Sequence, residues 1–240
     1  MTVFVTGGRS PLALSLVEKL ISDGQDVILA TRKIDLSMES LAAECGGCKL
    51  VELDLSARDQ VESIARGLLS DVDVRGLVFC HRARDADPLE QYWANVLAPA
   101  QLVDSFAGNG GGDGRSVVFY TSPAARVVVA DADFQYHASK AAINAFVRFA
   151  AVAYADTGVR VNAVSPGAFV FKKRSSEYFE RNPSRVRWAE RVTPLGRFAA
   201  ASEISDATIF LLGSPSSFIT GQVLEVDGGT MLLDQPGLEN

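Results

Sequence analysis

The chain is poor in the residues that bind metals and form disulfides: its 240 residues include three cysteines and two histidines. A small, odd cysteine count excludes a disulfide scaffold at this length and fits a reducing compartment. Cys45 and Cys48 have C-x-x-C spacing, yet only Cys80, His81 and His137 remain as further soft ligands, and no second pair completes a tetrahedral site. The pair also precedes a strand pattern, whereas redox pairs open a helix, so a surface turn is expected and no metal is assigned. No run of eighteen apolar residues is present, and the N-terminus enters the β-type segment Thr2 to Thr6 without a basic leader. A cytoplasmic protein with no membrane partner is expected. Basic residues are in deficit, 23 against 29 acidic ones, which leaves no cationic stripe for a nucleic acid. The one local exception is Lys172 to Arg191, with seven Lys or Arg against three Glu.

What is present is alternation. Short β-branched runs (Val3 to Val5, Asp26 to Ala30, Leu50 to Leu53, Gly76 to Cys80, Val117 to Tyr120, Arg160 to Val164, Val223 to Val226) are separated by segments of helical period. Leu12, Leu16 and Leu20 with Val17 and Ile21 form one such segment, and Val61, Ile64, Ala65 and Leu68 another. That is the pattern of βαβ units, and with 48% hydrophobic residues the chain can fill one sizeable core. The expected fold is a single-domain α/β, doubly wound parallel sheet of about seven strands with helices on both faces. Residues 171–192 break the alternation with a long, charged and aromatic stretch, the place for a substrate lid beyond the carboxyl ends of the strands. Its side chains, with Phe169, Phe171, Tyr178, Phe179 and Trp188, suit a bulky apolar or aromatic substrate; the cationic excess is expected as a solvated face, with an anionic or carrier-tethered substrate as the alternative.

The first strand runs through Thr6-Gly7-Gly8-Arg9-Ser10-Pro11-Leu12-Ala13 into a helix, where a Rossmann-like fold seats its pyrophosphate on a helix N-terminus. Ser10 suits the N-cap and Pro11 the first helical position. Farther on, Tyr136-His137-Ala138-Ser139-Lys140 opens a helical run in which Tyr136 and Lys140, four apart, share a face. A phenol with a pKa of about 10 is a poor acid or base near neutrality, and an adjacent ammonium favours its phenolate.

These segments, in this order, resemble the short-chain dehydrogenase/reductase family across almost the whole chain. The turn is similar to its T-G-x-x-x-G-x-G motif, with Pro11 and Ala13 in place of the second and third glycines. Ser122, fourteen residues before Tyr136, resembles the family's carbonyl-polarising serine, and Asn95 the helix asparagine that holds a water in its proton relay. Arg160 to Gly167, Thr193 to Phe198 and Ile219 to Gly229 are similar to its later signatures. The resemblance implies an oxidoreductase in which Lys140 binds the nicotinamide ribose and supports the Tyr136 phenolate, Ser122 hydrogen-bonds the substrate oxygen, and Tyr136 transfers the proton. It also implies a cofactor site built from Thr6, Gly7, Arg9, Ser10, Leu12, Thr31, Arg32, Asp54, Leu55, Tyr136, Lys140, Pro166 and Gly167, and a homotetramer. After the second strand stands Ala30-Thr31-Arg32-Lys33, with no carboxylate for a ribose 2′-hydroxyl; Arg32, with Lys33 and Arg9, suits a 2′-phosphate, so NADP(H) is the expected cofactor.

Two departures stand out. Cys80-His81-Arg82-Ala83 replaces the family's N-N-A-G, with His81 expected to fill space or to contact phosphate beside Arg82 rather than act as a base. Phe171 lies where relatives hold the carboxamide with a threonine. They leave an alternative from another reaction class, the halohydrin dehalogenases, which are similar proteins that use Ser-Tyr-Arg without a nucleotide; the segments Asn182-Pro183, Val192-Thr193 and Asp234 to Gly237 look somewhat like theirs. Lys140 speaks against it, since lysine is what a ribose-binding reductase needs.

Overall fold

The computed structural model describes residues 1–46, 48–67, 73–83, 87–109, 112, 114–129, 132–167, 170–171 and 180–233. The first half alternates β1 (Thr2–Thr6), α1 (Pro11–Ser22), β2 (Asp26–Thr31), α2 (Leu36–Cys45), β3 (Cys48–Glu52), α3 (Arg58–Arg66) and β4 (Val74–Phe79). There follow α4 (Pro88–Tyr92), a π-helical turn (Trp93–Leu97), α5 (Ala98–Gly108), β5 (Arg115–Tyr120), α6 (Phe134–Ala153) and β6 (Val159–Pro166). The chain continues through β7 (Val170–Phe171), α7 (Pro183–Val192), β8 (Ala199–Ala200), α8 (Ala201–Leu212) and β9 (Val223–Val226). No helix among the described residues is long and apolar enough to cross a membrane.

Seven strands form one parallel sheet in the order β3-β2-β1-β4-β5-β6-β9. The order reverses between β1 and β4, and crossovers on opposite sides of that point open a crevice at the carboxyl ends of the strands. Side chains alternate across the pleat. Phe4, Ile28, Leu77, Val117 and Val161 pack against Val61 of α3, Leu102 and Phe106 of α5, and Ile143 and Val147 of α6. Val3, Val5, Leu29, Val78, Val118 and Val164 pack against Leu16 and Leu20 of α1, Met38 of α2, and Ile204 and Leu211 of α8. Both faces are dry, which is why these strands read as near-continuous apolar runs.

Of the seven strands of the sheet only β9 has the expected bounds; the others start or end one or two residues away, and two of these differences bear on the site. β3 begins two residues earlier than its apolar run because Cys48 and Lys49 pair with Val27 and Ile28, and Leu53 leaves the ladder with its N–H donating to Thr31 O at 2.8 Å. β4 stops at Phe79, so Cys80 to Ala83 stand at the crevice rather than in the sheet. A two-residue parallel pairing of β7 with β8 was not expected; it ties the segment after β6 to the start of α8. Of the expected lid, α7 and β7 are seen, with Ala189 and Val192 buried and Trp188 58% exposed. Phe169, Tyr178, Phe179, the basic stretch Lys172 to Arg174 and the tail Asp234 to Gly237 lie outside the described residues.

Candidate active site

The turn after β1 is shaped by one close approach. Gly7 has φ +82°, and a Cβ there would stand 2.8 Å from the His81 backbone nitrogen, so both conformation and contact require glycine. Gly8 N–H donates to Ala30 O at 3.1 Å and Ser10 N–H to Gly7 O at 2.7 Å, which folds the chain tightly into α1. Ser10 has the extended backbone of an N-cap, with Pro11 following, but its hydroxyl makes no capping bond. The expected side-chain cap is therefore not formed; the amides of Leu12 and Ala13 receive no side-chain acceptor, and the first turn of α1 carries no acidic residue. An uncapped helix N-terminus is a ready anion site.

At one end of the turn lies the loop after β2. Arg9 was expected to face a 2′-phosphate, but its guanidinium is already paired with Asp35 and also donates to Lys33 O at 3.4 Å. Hydrogen bonds from Ser37 and Arg9 and from the Met38 N–H hold the Asp35 carboxyl down at about 2. Asp35 caps α2, so Arg9 bridges two helix starts. Arg32 is exposed beside them, and Thr31 is buried at the strand end. Across from Arg32, Asp54 accepts from the Ser56 N–H at 2.9 Å while its own N–H donates to Gln60 at 2.8 Å, with Leu55 buried behind it.

At the other end, Asp133 caps α6 by accepting from the Tyr136 N–H at 2.7 Å, which places Tyr136 in the first turn and Lys140 one turn later. Lys140 is 5% exposed, its Nζ donates to Tyr120 O at 2.7 Å, and it lies 5.8 Å from the Tyr136 ring centre. Burial pulls its pKa down to about 8, against a smaller opposing effect from Cys80. Ser122 follows β5 and heads the short turn Pro123–Ala125; its Oγ accepts from the Ala124 N–H at 3.2 Å, leaving its own hydrogen to donate elsewhere. Asn95 sits in the π-helical turn and spends both ends of its amide on Ala83, accepting at 2.8 Å and donating at 3.2 Å.

The segment that departs from the family pattern proves structural as well as local. His81 bridges Thr6 Oγ1 at 2.9 Å and Ala94 O at 3.0 Å. The carbonyl can only accept, so Nε2 carries the proton and Nδ1 accepts from Thr6. Burial holds the ring neutral, with its pKa pulled down to about 3. His81 is thus a strut between β1 and the turn that carries Asn95. Next to it, the Arg82 guanidinium carbon sits over the Tyr136 ring, 3.8 Å from its centre. Sequence reasoning missed that contact, and nothing in the spacing of the two residues signals it.

A cleft of about 670 Å³ joins these ends. It is lined from Arg32, Asp54 and Leu55, past Gly7, Ser10 and Leu12, to Lys140, Tyr136 and Pro166. Asn95 and Ser122 are not in its wall; Gly167 lines a neighbouring cavity of about 590 Å³ with Thr193, Pro194, Leu195, Val226 and Met231.

The family model described as enoyl-(acyl carrier protein) reductase matches residues 94–231, more than half of the chain. A solved short chain dehydrogenase/reductase family protein is 31% identical, with a TM-score of 0.80 over 97% of this chain and 98% of that one. The chain belongs to the short-chain dehydrogenase/reductase family. Galactitol 2-dehydrogenase (L-tagatose-forming) of Cereibacter sphaeroides is 28% identical over 94% of this chain and 92% of its own. A putative NAD(P)-dependent gluconate 5-dehydrogenase from Beutenbergia cavernae, solved with bound NADP, is 25% identical, with a TM-score of 0.83 covering 97% of each chain.

As an oxidoreductase of this family, the chain departs from the usual pattern where the geometry shows a substitute. Pro11 lacks an amide, yet the two amides after it stay open, and His81 takes over the bracing of the sheet end.

Proposed function

We propose that the chain is an NADP(H)-dependent ketoreductase that moves hydride between the nicotinamide and a carbonyl or alcohol carbon of a bulky, aromatic or cyclic small molecule. The observation that carries the reading is the single cleft that runs from the Arg32 corner, over the uncapped start of α1, to the Tyr136 and Lys140 side chains. The residues fit a dinucleotide. Gly7 lets the turn close against the His81 backbone, the amides of Leu12 and Ala13 await an anion, and Arg32 is a planar donor at the 2′ corner, where Thr31, Asp54 and Leu55 complete the adenosine end. When bound, the nicotinamide supplies the hydride.

The chain's own groups do the rest. Lys140 stands where it can hold the ribose hydroxyls, and its ammonium faces Tyr136. Ser122 retains a hydroxyl hydrogen for the substrate oxygen, so that two donors meet the charge that develops there. Tyr136 gives or takes the proton, and Asn95 locks the segment at Ala83 that walls the cleft. Pro166 lines the cleft and Gly167 the second cavity, so the cleft that holds the tyrosine meets further space for substrate at this pair. Apolar side chains left exposed on α6 (Phe149, Val152), α8 (Phe210), β9 (Leu224) and the loop between α8 and β9 (Phe218) support assembly into the family's homotetramer, and a cytoplasmic location suits the reduced cysteines.

The test is NADPH oxidation by the purified protein over a panel of cyclic and aromatic ketones, beside halide release from a vicinal haloalcohol without nucleotide. Ketone-dependent NADPH oxidation supports the reading; halide release with no nucleotide overturns it in favour of a dehalogenase.

A further inference from the structure

Two cations from different elements face Tyr136, and they differ in kind. Lys140 approaches from the same helix at 5.8 Å from the ring centre; it is buried, shared with Tyr120 O, and loses its proton near pH 8. Arg82 approaches from the crevice end of β4, is exposed, and places its Cζ over the ring at 3.8 Å from the centre. A guanidinium stays protonated throughout the working range of proteins. Among the described residues, other charged or titratable groups near the tyrosine are Asp133, at the start of its helix, and His137 on it, His81 and Cys80 beside Arg82, and Tyr120 and Glu90 in the cleft wall.

We propose that Arg82 is a positioning residue for proton transfer, a permanent cation that stabilises the negative charge left on Tyr136 when its O–H bond breaks. The step rests on the reading of the site as a ketoreductase. The phenol's proton goes to the substrate oxygen, whose electron pair comes from the carbonyl bond as hydride arrives from the reduced nicotinamide, and the phenolate remains until solvent reprotonates it. A cation over a neutral ring meets only a quadrupole, whereas over a phenolate it meets a full charge. Arg82 therefore holds the deprotonated state more strongly than the protonated one, and a differential interaction of that kind changes rate rather than substrate affinity.

The test needs no turnover. Tyrosine labelled with ¹³C at the ring carbon bearing oxygen is followed by NMR against pH in the wild-type protein, in R82M, R82Q and R82K, and in Y136F to assign the signal. R82M and R82Q should move the Tyr136 midpoint to more alkaline pH by about one unit, a tenfold change, and R82K should recover part of it. An unmoved midpoint in the uncharged variants overturns the proposal, and so does R82K moving as far as R82M. Rates of cyclohexanol oxidation with NADP⁺ are then read against pH, where the low-pH limb should move with the midpoint and KM should not. Absence of any cyclohexanol or NADPH turnover counts against the ketoreductase reading alone, since the titration still decides Arg82.

Discussion

Lys140 is held in the fold at a cost that replacing it by methionine should expose. Its pKa falls from 10.5 to about 8 because burial disfavours the ammonium. At 1.36 kcal/mol per pH unit, that is on the order of 3 kcal/mol against the folded state wherever the lysine is charged in both states. Between pH 8 and 10.5 the unfolded chain binds the proton and the folded one does not, so this contribution makes wild-type stability rise with pH. Methionine fills a similar volume and carries no charge, but it leaves Tyr120 O without the bond from Nζ, a loss of about 1–3 kcal/mol. At pH 7 the two effects nearly offset. The informative quantity is the change with pH, because the lost hydrogen bond enters equally at each value. Urea unfolding of K140M and wild type should show the variant's relative stability falling by about 2.5 kcal/mol from pH 7 to pH 10. In melting temperature that is roughly 5–10 °C for a chain of this size. A stability difference that stays constant with pH would refute the argument, because it would mean that Lys140 enters the folded state without an electrostatic penalty.

Tyr136→Phe should melt within a few degrees of wild type and lose about a hundredfold or more in turnover, measured on any ketone the enzyme accepts. NADPH should bind at least about tenfold more tightly than NADH by calorimetry, a gap of about 1.4 kcal/mol, and R32D should narrow or reverse it; equal affinities would remove Arg32 from the 2′ site. His81, held neutral with its pKa near 3, makes the fold lose stability as pH drops below 6.5, because the unfolded chain binds the proton first. Between pH 7 and 4 that amounts to about 3 kcal/mol, which H81Q should abolish in urea midpoints across that range, whatever the carboxylates contribute to both proteins.

The parts of the molecule legible in the sequence are those governed by period and by local chemistry. Strands buried on both faces appear as unbroken apolar runs, and Tyr136 and Lys140 share a helix face because four residues are about one turn. Their edges were less legible: β3 starts at Cys48 because pairing with β2, and not hydropathy, sets where a ladder begins. The cofactor corner was half legible. Arg9 and Arg32 look alike in sequence, and only the fold brings Asp35 against one of them. The Arg82 contact with Tyr136 joins positions 54 residues apart that meet because β4 ends and α6 begins at the same crevice, and no local pattern encodes that.

The polar and the charged groups at the crevice divide the work of the site in a way that accounts for the departure at Cys80 to Ala83. A backbone crevice that must accept a dinucleotide cannot be filled with apolar side chains, so its walls need polar struts whose groups are all satisfied. His81 in the wall and Asn95 behind it serve that purpose, His81 bound to the Thr6 hydroxyl and the Ala94 carbonyl and Asn95 to the Ala83 backbone at both ends of its amide, and both are neutral, so neither adds a field at the cleft. The charge is left to Lys140 and Arg82, which converge on one ring. Exchanging the strut for a cation should therefore be worse than deleting it: H81K would place an unpaired ammonium against Thr6 and Ala94 and add positive charge beside Lys140. H81Q keeps a donor and an acceptor there. The neutral variant should fold and retain nucleotide affinity within about tenfold, while the cationic one should be destabilised by several kcal/mol at pH 7. Equal stability of the two in urea would show that His81 fills space and braces nothing.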